Sequence, residues 1–283
     1  MAFTTLNGFA LAGAGIGQEV GFAFAEARAA GVLFADLNLE NATANAETSK
    51  EYARNPSYFA LAIHVDVTVP ESVQAMVDFE MESFGRLDYC VGATSLLASK
   101  EIDIDNFDTT LSINVKGTTM LCARAVSQAM STQEPLLHQG RHGERSLSWG
   151  SIVNMASATS FVAGPKMMAY VASKHAVIGI TKTAALDNIP HHIRVNALSL
   201  DNIPHHIRVN ALCPSYVHTP MYTRSLARVP ALGKLLERAS PLKRPACVEE
   251  VANLAVMMCS PSASYVNGTG LLVDAGMLLS ANV

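Results

Sequence analysis

The sequence has no long apolar run, no block of like charge and no short segment of low complexity, and each absence excludes a class of protein. Only 16% of its 283 residues are charged, and the net charge of −4 comes from acids and bases mixed along the chain. This composition argues against a nucleic-acid partner. Residues 1–8 lack a basic region and an apolar core, so we expect no signal peptide and no membrane span.

Cysteine is also scarce, and its distribution has no regular spacing. The odd number and the scatter argue against a disulfide framework and against a metal site, and they favour a reducing, cytoplasmic compartment. With 49% hydrophobic residues and no long linker, we expect residues 1–283 to form a single domain with a substantial core. The five cysteines are Cys90, Cys122, Cys213, Cys247 and Cys259.

Strand-like and helix-like segments alternate along the chain. Short apolar runs at residues 9–12, 31–35 and 58–64 predict buried strands separated by segments of helical composition. This rhythm is typical of an α/β fold with a parallel sheet, here of about seven strands, covered by helices on both faces. The polar stretch 131–149 predicts a surface loop. Further predictions are helices at about 105–130, 168–186 and 248–259 and strands at 87–91, 151–155, 207–212 and 270–274.

One segment occurs twice: residues 186–198 recur without change at 200–212. Two copies are too few for a repeat architecture, and only one can fill a given strand of a sheet. The second copy is favoured because Cys213 and Pro214 continue directly from it, so we expect the first to bulge at the sheet edge away from the ligand crevice. The histidine pairs of the copies predict a surface segment and no metal site: His191, His192, His205 and His206.

Tyr170 and Lys174 are four positions apart in a predicted helix, and Ser157 precedes Tyr170 by thirteen positions. Side chains four apart share one helix face, so we expect the Lys174 ammonium beside the Tyr170 phenol. A neighbouring cation favours the phenolate and lowers the pKa of the phenol. A phenol tuned in this way can exchange a proton with an alcohol oxygen, to which Ser157 offers a hydroxyl. The spacing of Tyr170 and Lys174 alone also occurs in helices without a catalytic role.

Glycines at positions 13, 15 and 17 lie between the first predicted strand and the first predicted helix. They allow a tight turn and let the backbone approach a pyrophosphate at the helix N-terminus. Asp36 ends the second strand, where a carboxylate can accept hydrogen bonds from the adenosine ribose. Asp36 would repel a 2′-phosphate, and no basic residue of the glycine loop offsets that charge. The sequence therefore favours NAD(H), with NADP(H) as the alternative.

Further motifs follow in order along the chain. They are Asn114 in Ser-Ile-Asn-Val-Lys-Gly, the segment 150–157, Asn-Ala-Leu-Cys-Pro at 210–214 leading to Thr219 and Pro220, Arg244 ahead of 249–252, and Val-Asp-Ala-Gly at 273–276. Together with Tyr170 and Lys174, they resemble the short-chain dehydrogenase/reductase family over residues 8–277. The polar insert before Gly150 is similar to that of fungal members from secondary-metabolite pathways. The resemblance implies a Rossmann-type doubly wound sheet.

The family's chemistry is hydride transfer between a nicotinamide cofactor and an alcohol or carbonyl, and the resemblance implies a role for each matching residue. Tyr170 is expected to be the general acid/base, Ser157 to polarise the substrate oxygen, and Lys174 to bind the nicotinamide ribose. Asn114 is expected to hold a water of a proton relay. The implied cofactor-binding residues are Gly13, Gly15, Ile16, Gly17, Asp36, Asp66, Val67, Gly92, Tyr170, Lys174, Pro214, Val217 and Thr219.

Two cofactor loops depart from the family pattern. Residues 11–17 are about two residues short and lack a threonine, and the loop at 91–94 lacks the family's asparagines. Together with the duplication, these departures reflect either divergence or errors in the assembly of the coding sequence. A shortened phosphate loop weakens or abolishes cofactor binding. The alternative is therefore a non-redox protein on the same scaffold, either a cyclase, an isomerase or a cofactor-free binding protein.

The substrate is indicated only by position. Met167 and Met168, together with apolar residues of a predicted flap at about 219–245, border the substrate in this family. They favour an apolar pocket for a small, polyketide-like ketone or alcohol, although packing of the flap on the core explains them equally well. Tyr216 and His218 are candidates for contact with cofactor or substrate. The resemblance also implies a homodimer or homotetramer. The flap residues are Tyr222, Leu226, Val229, Leu232, Leu235 and Leu236.

Overall fold

The computed structural model describes residues 7–11, 14–93, 95–96, 104–120, 125–189, 207–228 and 231–279. Within these ranges the backbone forms nine strands and a set of helices that cover them. The strands are β1 (Asn7–Leu11), β2 (Gly31–Asp36), β3 (Phe59–His64), β4 (Tyr89–Gly92), β5 (Leu136–Gly140), β6 (Gly143–Ser148), β7 (Gly150–Met155), β8 (Ile207–Pro214) and β9 (Gly270–Val273).

Seven of the strands form one parallel sheet in the order β3-β2-β1-β4-β7-β8-β9. Every residue of β7 and β8 is buried, and so are the first five residues of β2. A strand that is covered on both faces must be apolar along its whole length, which explains the continuous hydrophobic runs in the sequence. The predicted doubly wound α/β fold with about seven strands is confirmed.

Helices cover both faces of the sheet. One core cluster joins the sheet to α1, α2 and α10, and a second joins it to α3, α6 and α7. The helices are α1 (Ile16–Glu26), α2 (Leu39–Tyr52), α3 (Pro70–Phe84), α4 (Ile104–Leu111), α5 (Thr118–Met120), α6 (Val126–Ser131), α7 (Met168–Asp187), α8 (Pro220–Arg228), α9 (Ala231–Ala239) and α10 (Val248–Cys259).

Local signals set the ends of α2 and α3. Asn38 is the N-cap of α2, and its side chain accepts a hydrogen bond from the Asn41 amide at 3.0 Å. Helix α3 begins with Pro70, whose fixed φ and missing N–H suit the first turn of a helix. It ends at Gly85, whose φ of 76° lies in the left-handed region that glycine adopts without strain.

The predicted helix at 105–130 contains a break in regularity. Helix α4 continues into a π-helical turn, Ser112–Gly117, before α5 begins. Gly117 lies against the segment that follows β3, because a Cβ on it would stand 2.8 Å from Val67 Cγ2. Such single π-helical turns occur frequently at functional sites, and this one contains Asn114.

The predicted surface loop at 131–149 was wrong in part, because β5 and β6 pair there as an antiparallel hairpin. Gly143 has a φ of 104° at the turn between the strands. The hairpin is largely exposed, and its strands satisfy each other's backbone groups without a hydrophobic face. With no clean alternation of apolar residues, the sequence gives little sign of the pairing.

The duplicated segment contributes its second copy to the sheet. Strand β8 is Ile207–Pro214, while α7 ends at Asp187, inside the first copy. The Ile207 amide donates to the Asn188 carbonyl at 3.4 Å, so the chain re-enters the sheet beside the end of α7. Residues 190–206, which include His191, His192, His205 and His206, lie outside the described residues, as does the expected bulge.

Arg208 is a buried arginine that joins β8 to the C-terminal end of α10. Its side chain is 2% exposed. Nη1 donates to the Met258 and Ala263 carbonyls at 2.8 and 3.0 Å, and Nη2 donates to the Cys259 carbonyl at 3.0 Å. The last carbonyls of a helix have no partner within that helix, so this guanidinium supplies the missing donors.

Candidate active site

A cleft of about 1740 Å³ lies at the carboxyl ends of the parallel strands. Its lining includes Asp36, which ends β2, and Asp66, which follows β3, together with Met277 and Leu278, which follow β9. The cleft contains the point where the chain order of the sheet reverses, between β1 and β4. Ligands of open α/β sheets bind at this switch point. The volume exceeds the roughly 300–1,000 Å³ of an ordinary small-molecule pocket, so there is room for a large ligand beside a smaller one.

Tyr170 and Ser157 line the middle of this cleft. Tyr170 is in the first turn of α7, and Ser157 follows β7. Burial raises the pKa of Tyr170, and the hydroxyls of Ser157 and Ser95 oppose that effect only in part. The predicted lowering of the Tyr170 pKa by Lys174 was therefore wrong for the protein alone, because the desolvation of the phenolate outweighs every favourable neighbour.

Lys174 is nearly fully buried beneath Tyr170. Its Nζ lies 5.6 Å from the centroid of the Tyr170 ring and donates to the Met155 carbonyl at 2.8 Å. Burial lowers the pKa of Lys174 to about 8, with a smaller opposing effect from the nearby Cys213. The ammonium therefore gives up its proton far more readily than an exposed lysine does.

Replacing Lys174 by Met is expected to change how stability depends on pH. The unfolded chain keeps this proton up to the ordinary pKa of 10.5, whereas the folded protein releases it near 8. Between these values the unfolded state binds more protons, so the contribution of Lys174 to the free energy of unfolding rises with pH. As the pH rises through this range, the free energy of unfolding of the wild type should increase by roughly 3 kcal/mol relative to that of Lys174→Met. Chemical denaturation at stepwise pH measures the difference.

The matched control is Lys182→Met, because Lys182 is an exposed residue of the same helix. Its stability relative to the wild type should stay constant over the same pH range. A difference between wild type and Lys174→Met that does not change between pH 8 and 10.5 would contradict a buried lysine that loses its proton on folding.

Ser157 is held in place by a short 3₁₀ turn, Ala158–Ser160. Its Oγ accepts from the Thr159 amide at 3.2 Å, and its own amide donates to Ser160 Oγ at 3.3 Å. Ser160 Oγ in turn donates to the Lys174 carbonyl at 2.7 Å. These bonds connect the turn after β7 with α7, so the hydroxyl of Ser157 and the phenol of Tyr170 keep a constant relative position.

Asn114 is fully buried and connects three segments of the chain. Its Nδ2 donates to the Leu96 carbonyl and to Ser173 Oγ, both at 3.0 Å, and its Oδ1 accepts from the Leu96 amide at 2.8 Å. Ser173 Oγ donates to the Tyr170 carbonyl at 2.7 Å. Asn114 thus holds the segment after β4 against α7, with both amide hydrogens used within the protein. Its expected role in holding a water stays a prediction.

Gly15 lines the cleft directly before the N-terminus of α1. It precedes α1 with a φ of 65°, and a Cβ on it would stand 3.4 Å from Thr219 Cγ2. A side chain there would be strained and would crowd Thr219, so the position requires glycine. Ile16 follows and lines the cleft, while Gly17 is buried behind it. Gly13 lies outside the described residues.

Two carboxylates occupy the end of the cleft at β2 and β3. Asp36 ends β2 and accepts from the Asn38 amide at 2.8 Å. Asp66 accepts from the Thr68 amide at 2.9 Å and the Thr68 hydroxyl at 2.6 Å, and these bonds lower its pKa. Both side chains line the cleft together with Val67.

The comparison with known proteins identifies the family. A family model described as short chain dehydrogenase matches residues 11–203, and one described as Enoyl-(Acyl carrier protein) reductase matches residues 197–278. The chain belongs to the short-chain dehydrogenase/reductase family. It is therefore a member of an oxidoreductase family that uses NAD(P) nucleotides, as the motifs predicted.

Similar proteins agree with this assignment. The chain is 39% identical over 284 residues to short-chain dehydrogenase srdC of Neurospora crassa, and the alignment covers 99% of each of the two chains. It is 37% identical over 282 residues to short-chain dehydrogenase anuF of Penicillium roqueforti, and this alignment covers 97% of each of the two chains. A solved structure of NAD⁺-bound xylitol dehydrogenase superposes with a TM-score of 0.81 at 25% identity, covering 98% of this chain and 100% of that one.

The residues of this short-chain dehydrogenase/reductase fit a dinucleotide. Gly15 and Ile16 bring the N-terminus of α1 to the cleft, where backbone amides suit a pyrophosphate. Asp36 stands at the end of β2, where a ribose is bound in this fold. Pro214, Val217 and Thr219 line the cleft as well, whereas Gly17, Gly92 and Asn114 do not belong to its lining.

The two helices of the predicted flap are α8 and α9, and they divide its residues between the cleft and the core. Tyr222 lines the cleft, Leu236 is 4% exposed and packs inward, and Leu226 packs near Gly233. Tyr216 lines the cleft as well, but His218 lies outside the lining, against Tyr222. Val229 and the side chains of Leu232 and Leu235 lie outside the described residues.

Sequence reasoning missed several residues that line the cleft. Ser95 and Thr159 are close to the reacting pair, and Lys166 has an unusual φ of 62° in the loop before α7. Arg224 and Arg228 lie one turn apart on α8 and also line the cleft. The one available signal was the irregular loop that follows β4, because Ser95 directly follows it.

Neither a membrane helix nor a metal site is indicated. Where the chain is described, no helix combines the length and apolar character needed to cross a bilayer. The same residues contain no cluster of histidine, cysteine and carboxylate side chains able to hold a metal ion.

Proposed function

We propose that this short-chain dehydrogenase/reductase transfers a hydride between NAD(H) and an alcohol or ketone, with Tyr170 as general acid/base. The observation that carries the proposal is the cleft itself. It places the hydroxyls of Tyr170 and Ser157 side by side and extends without interruption to Asp36. A phenol beside a second hydroxyl serves a reacting oxygen, and a cleft of this length accommodates a dinucleotide.

In the reducing direction, the substrate oxygen lies between Tyr170 and Ser157. A nicotinamide held in the cleft would supply the hydride that reduces the carbonyl carbon. Negative charge then develops on the oxygen, where the Ser157 hydroxyl stabilises it by hydrogen bonding. Tyr170 transfers its proton to the same oxygen, so that the product is a neutral alcohol and the tyrosine is left as phenolate. Oxidation of an alcohol follows the same steps in reverse.

In this proposal, Lys174 returns a proton to Tyr170 and stabilises the negative charge of its phenolate. Its low pKa and its position under the Tyr170 ring make it a suitable partner for a phenolate that forms during the reaction. In this proposal Lys174 also binds the nicotinamide ribose. Asn114 positions the helix of Tyr170 through Ser173 and keeps the segment after β4 in place.

The choice of NAD(H) over NADP(H) rests on Asp36. Replacing it by Asn is expected to shift the ratio of NADPH to NADH affinity toward NADPH on the order of tenfold, since a negative charge next to the 2′-phosphate is removed. Calorimetric titration with both reduced cofactors measures the ratio. The matched control is Asp78→Asn, an exposed residue of α3 away from the cleft. Tighter binding of NADPH than NADH by the wild type would refute the preference.

A second candidate function follows from the shortened glycine loop. A non-redox protein, such as a cyclase or isomerase that uses Tyr170 as a proton donor, needs the catalytic residues but no cofactor. Titration separates the candidates, because saturable NADH binding supports the oxidoreductase, whereas no heat with either reduced cofactor supports the second candidate. The decisive measurement is turnover of a ketone with NADH that follows such binding.

The substrate class and the assembly are part of the same proposal. Met167, Tyr216 and Met277 give the substrate end of the cleft apolar walls, which suit a small polyketide-like ketone. Likeness to fungal relatives supports a role in secondary metabolism.

We propose that the protein is cytoplasmic, which the odd number and scatter of the cysteines support. We also propose that it forms a homodimer or homotetramer, which the family resemblance supports. Light scattering of a monomer at micromolar concentration would contradict this assembly.

A further inference from the structure

Two hydroxyl groups in the wall of the cleft form no well-aligned hydrogen bond within the described ranges. Ser95 Oγ and Thr159 Oγ1 are both buried and unsatisfied by this criterion, although Ser95 lies close to the Tyr170 phenol. Both residues line the cleft. Buried hydroxyls are normally paired, and a pair of unpartnered ones in the wall of one site requires a reason.

Both hydroxyls flank the reacting pair. Ser95 is close enough to Tyr170 for its hydroxyl to lower the pKa of the phenol. Thr159 is two positions after Ser157, and its amide donates to Ser157 Oγ at 3.2 Å. A substrate whose reacting oxygen lies between Tyr170 and Ser157 therefore passes close to both extra hydroxyls.

The backbone around these two residues is held in place. Leu96, next to Ser95, is bound through both its amide and its carbonyl to Asn114. Thr159 is part of the 3₁₀ turn that Ser157 and Ser160 close. The hydroxyls can therefore re-aim by rotation about the Cα–Cβ bond between staggered positions.

Part of the lining of the cleft is apolar and offers a hydroxyl no partner. Val162, Met167 and Leu278 belong to this apolar part of the lining. A hydroxyl that rotates into such a space gains a hydrogen bond only if the ligand brings a polar atom with it. An unsubstituted hydrocarbon ring would leave both hydroxyls unpaired.

We propose that the substrate carries a second oxygen, as a hydroxyl or carbonyl, that hydrogen-bonds to Ser95 and Thr159 beside the reacting carbonyl. This inference rests on the proposed function. It assigns hydroxyketones and diketones as the substrate class, with hydroxylated alcohols as products, and it distinguishes them from ketones with one oxygen. A site built to pair with a polar group of the substrate rejects analogues that lack the group.

The test compares 1-tetralone with 4-hydroxy-1-tetralone, which share one carbon skeleton and differ by a single hydroxyl. For each, kcat/KM with NADH and the dissociation constant by calorimetry are measured in the wild type and in a Ser95→Ala, Thr159→Val double variant. The wild type should prefer the hydroxylated ketone by about tenfold or more in both measurements, and the double variant should lose about tenfold of that preference. A double variant of residues that do not line the cleft, Thr43→Val with Ser131→Ala, is the control for folding.

Three results would overturn the inference. The wild type does not discriminate between the tetralones, in which case solvent satisfies the hydroxyls. The double variant keeps the wild-type preference for the hydroxylated ketone, in which case other residues bind the second oxygen. The double variant loses NADH affinity as much as it loses the preference, in which case the hydroxyls serve the cofactor.

Failure of the proposed function has a different signature. A protein that binds neither reduced cofactor and reduces neither ketone would refute the redox proposal. The ratio of the two tetralone dissociation constants, measured on the protein without cofactor, would still decide whether Ser95 and Thr159 recognise a second oxygen.

Discussion

Replacing Tyr170 by Phe is expected to lower kcat for ketone reduction by about 10²–10⁴-fold, the usual contribution of a positioned acid/base group. The substitution removes only the oxygen that transfers the proton and keeps the ring that packs over Lys174. The dissociation constant of NADH should therefore stay nearly the same. Steady-state kinetics with NADH, together with calorimetric titration of the cofactor, measures both quantities.

Tyr216→Phe is the matched control, because Tyr216 also lines the cleft but lies farther along the chain, after β8. Its kcat should stay within a few fold of the wild type. If Tyr170→Phe kept most of the wild-type kcat, Tyr170 would not be the general acid/base.

The direction of the reaction should depend on pH. Because burial raises the pKa of Tyr170, the phenol is protonated at neutral pH, so reduction should proceed there and alcohol oxidation should accelerate as the pH rises.

Replacing Arg208 by Met is expected to lower the free energy of unfolding by about 3 kcal/mol, because the Met258 and Cys259 carbonyls at the end of α10 and the Ala263 carbonyl in the turn after it lose a charged donor. Methionine fills a similar volume, so the loss reports on hydrogen bonding more than on packing. Arg208→Lys should recover only part of the stability, since one ammonium lacks the planar fork that reaches all three carbonyls. Chemical denaturation measures each variant.

The duplication supplies an unusually close control. Arg194 occupies the same place in the first copy as Arg208 does in the second, within the same local sequence. If the second copy alone fills the strand, Arg194→Met should change stability much less than Arg208→Met. A loss from Arg194→Met that equals or exceeds the loss from Arg208→Met would contradict the assignment of β8 to the second copy.

Much of the fold could be predicted because its signals are local. The buried parallel strands appear as continuous apolar runs, and α3 begins at a proline and ends before a glycine, both of which are local signals in the sequence. Prediction failed where local signals are weak. The β5–β6 hairpin has few apolar residues, and its strands are stabilised by pairing with each other. The π-helical turn around Asn114 has no local signal in the sequence, and the close packing of its Gly117 against Val67 appears only in the folded protein.

The candidate site shows the same division. The spacing of Tyr170 and Lys174 predicted that the two share a helix face, and the structure places the Lys174 ammonium over the Tyr170 ring. The sign of the Tyr170 pKa change was wrong, because desolvation depends on every segment that covers the phenol. The unpaired hydroxyls of Ser95 and Thr159 belong to no motif, since a missing partner is a property of the folded surroundings.

By itself, the sequence determined the α/β class and the family, because apolar periodicity and motif spacing are properties of the chain. It also favoured the second copy for β8 and indicated which groups to propose as the reacting ones. Tertiary structure alone decided the electrostatics of Tyr170 and Lys174 and the hydrogen bonds by which Asn114 holds the segment after β4 against α7. Burial and hydrogen-bond pairing arise from segments far apart in the chain, so no local pattern contains them.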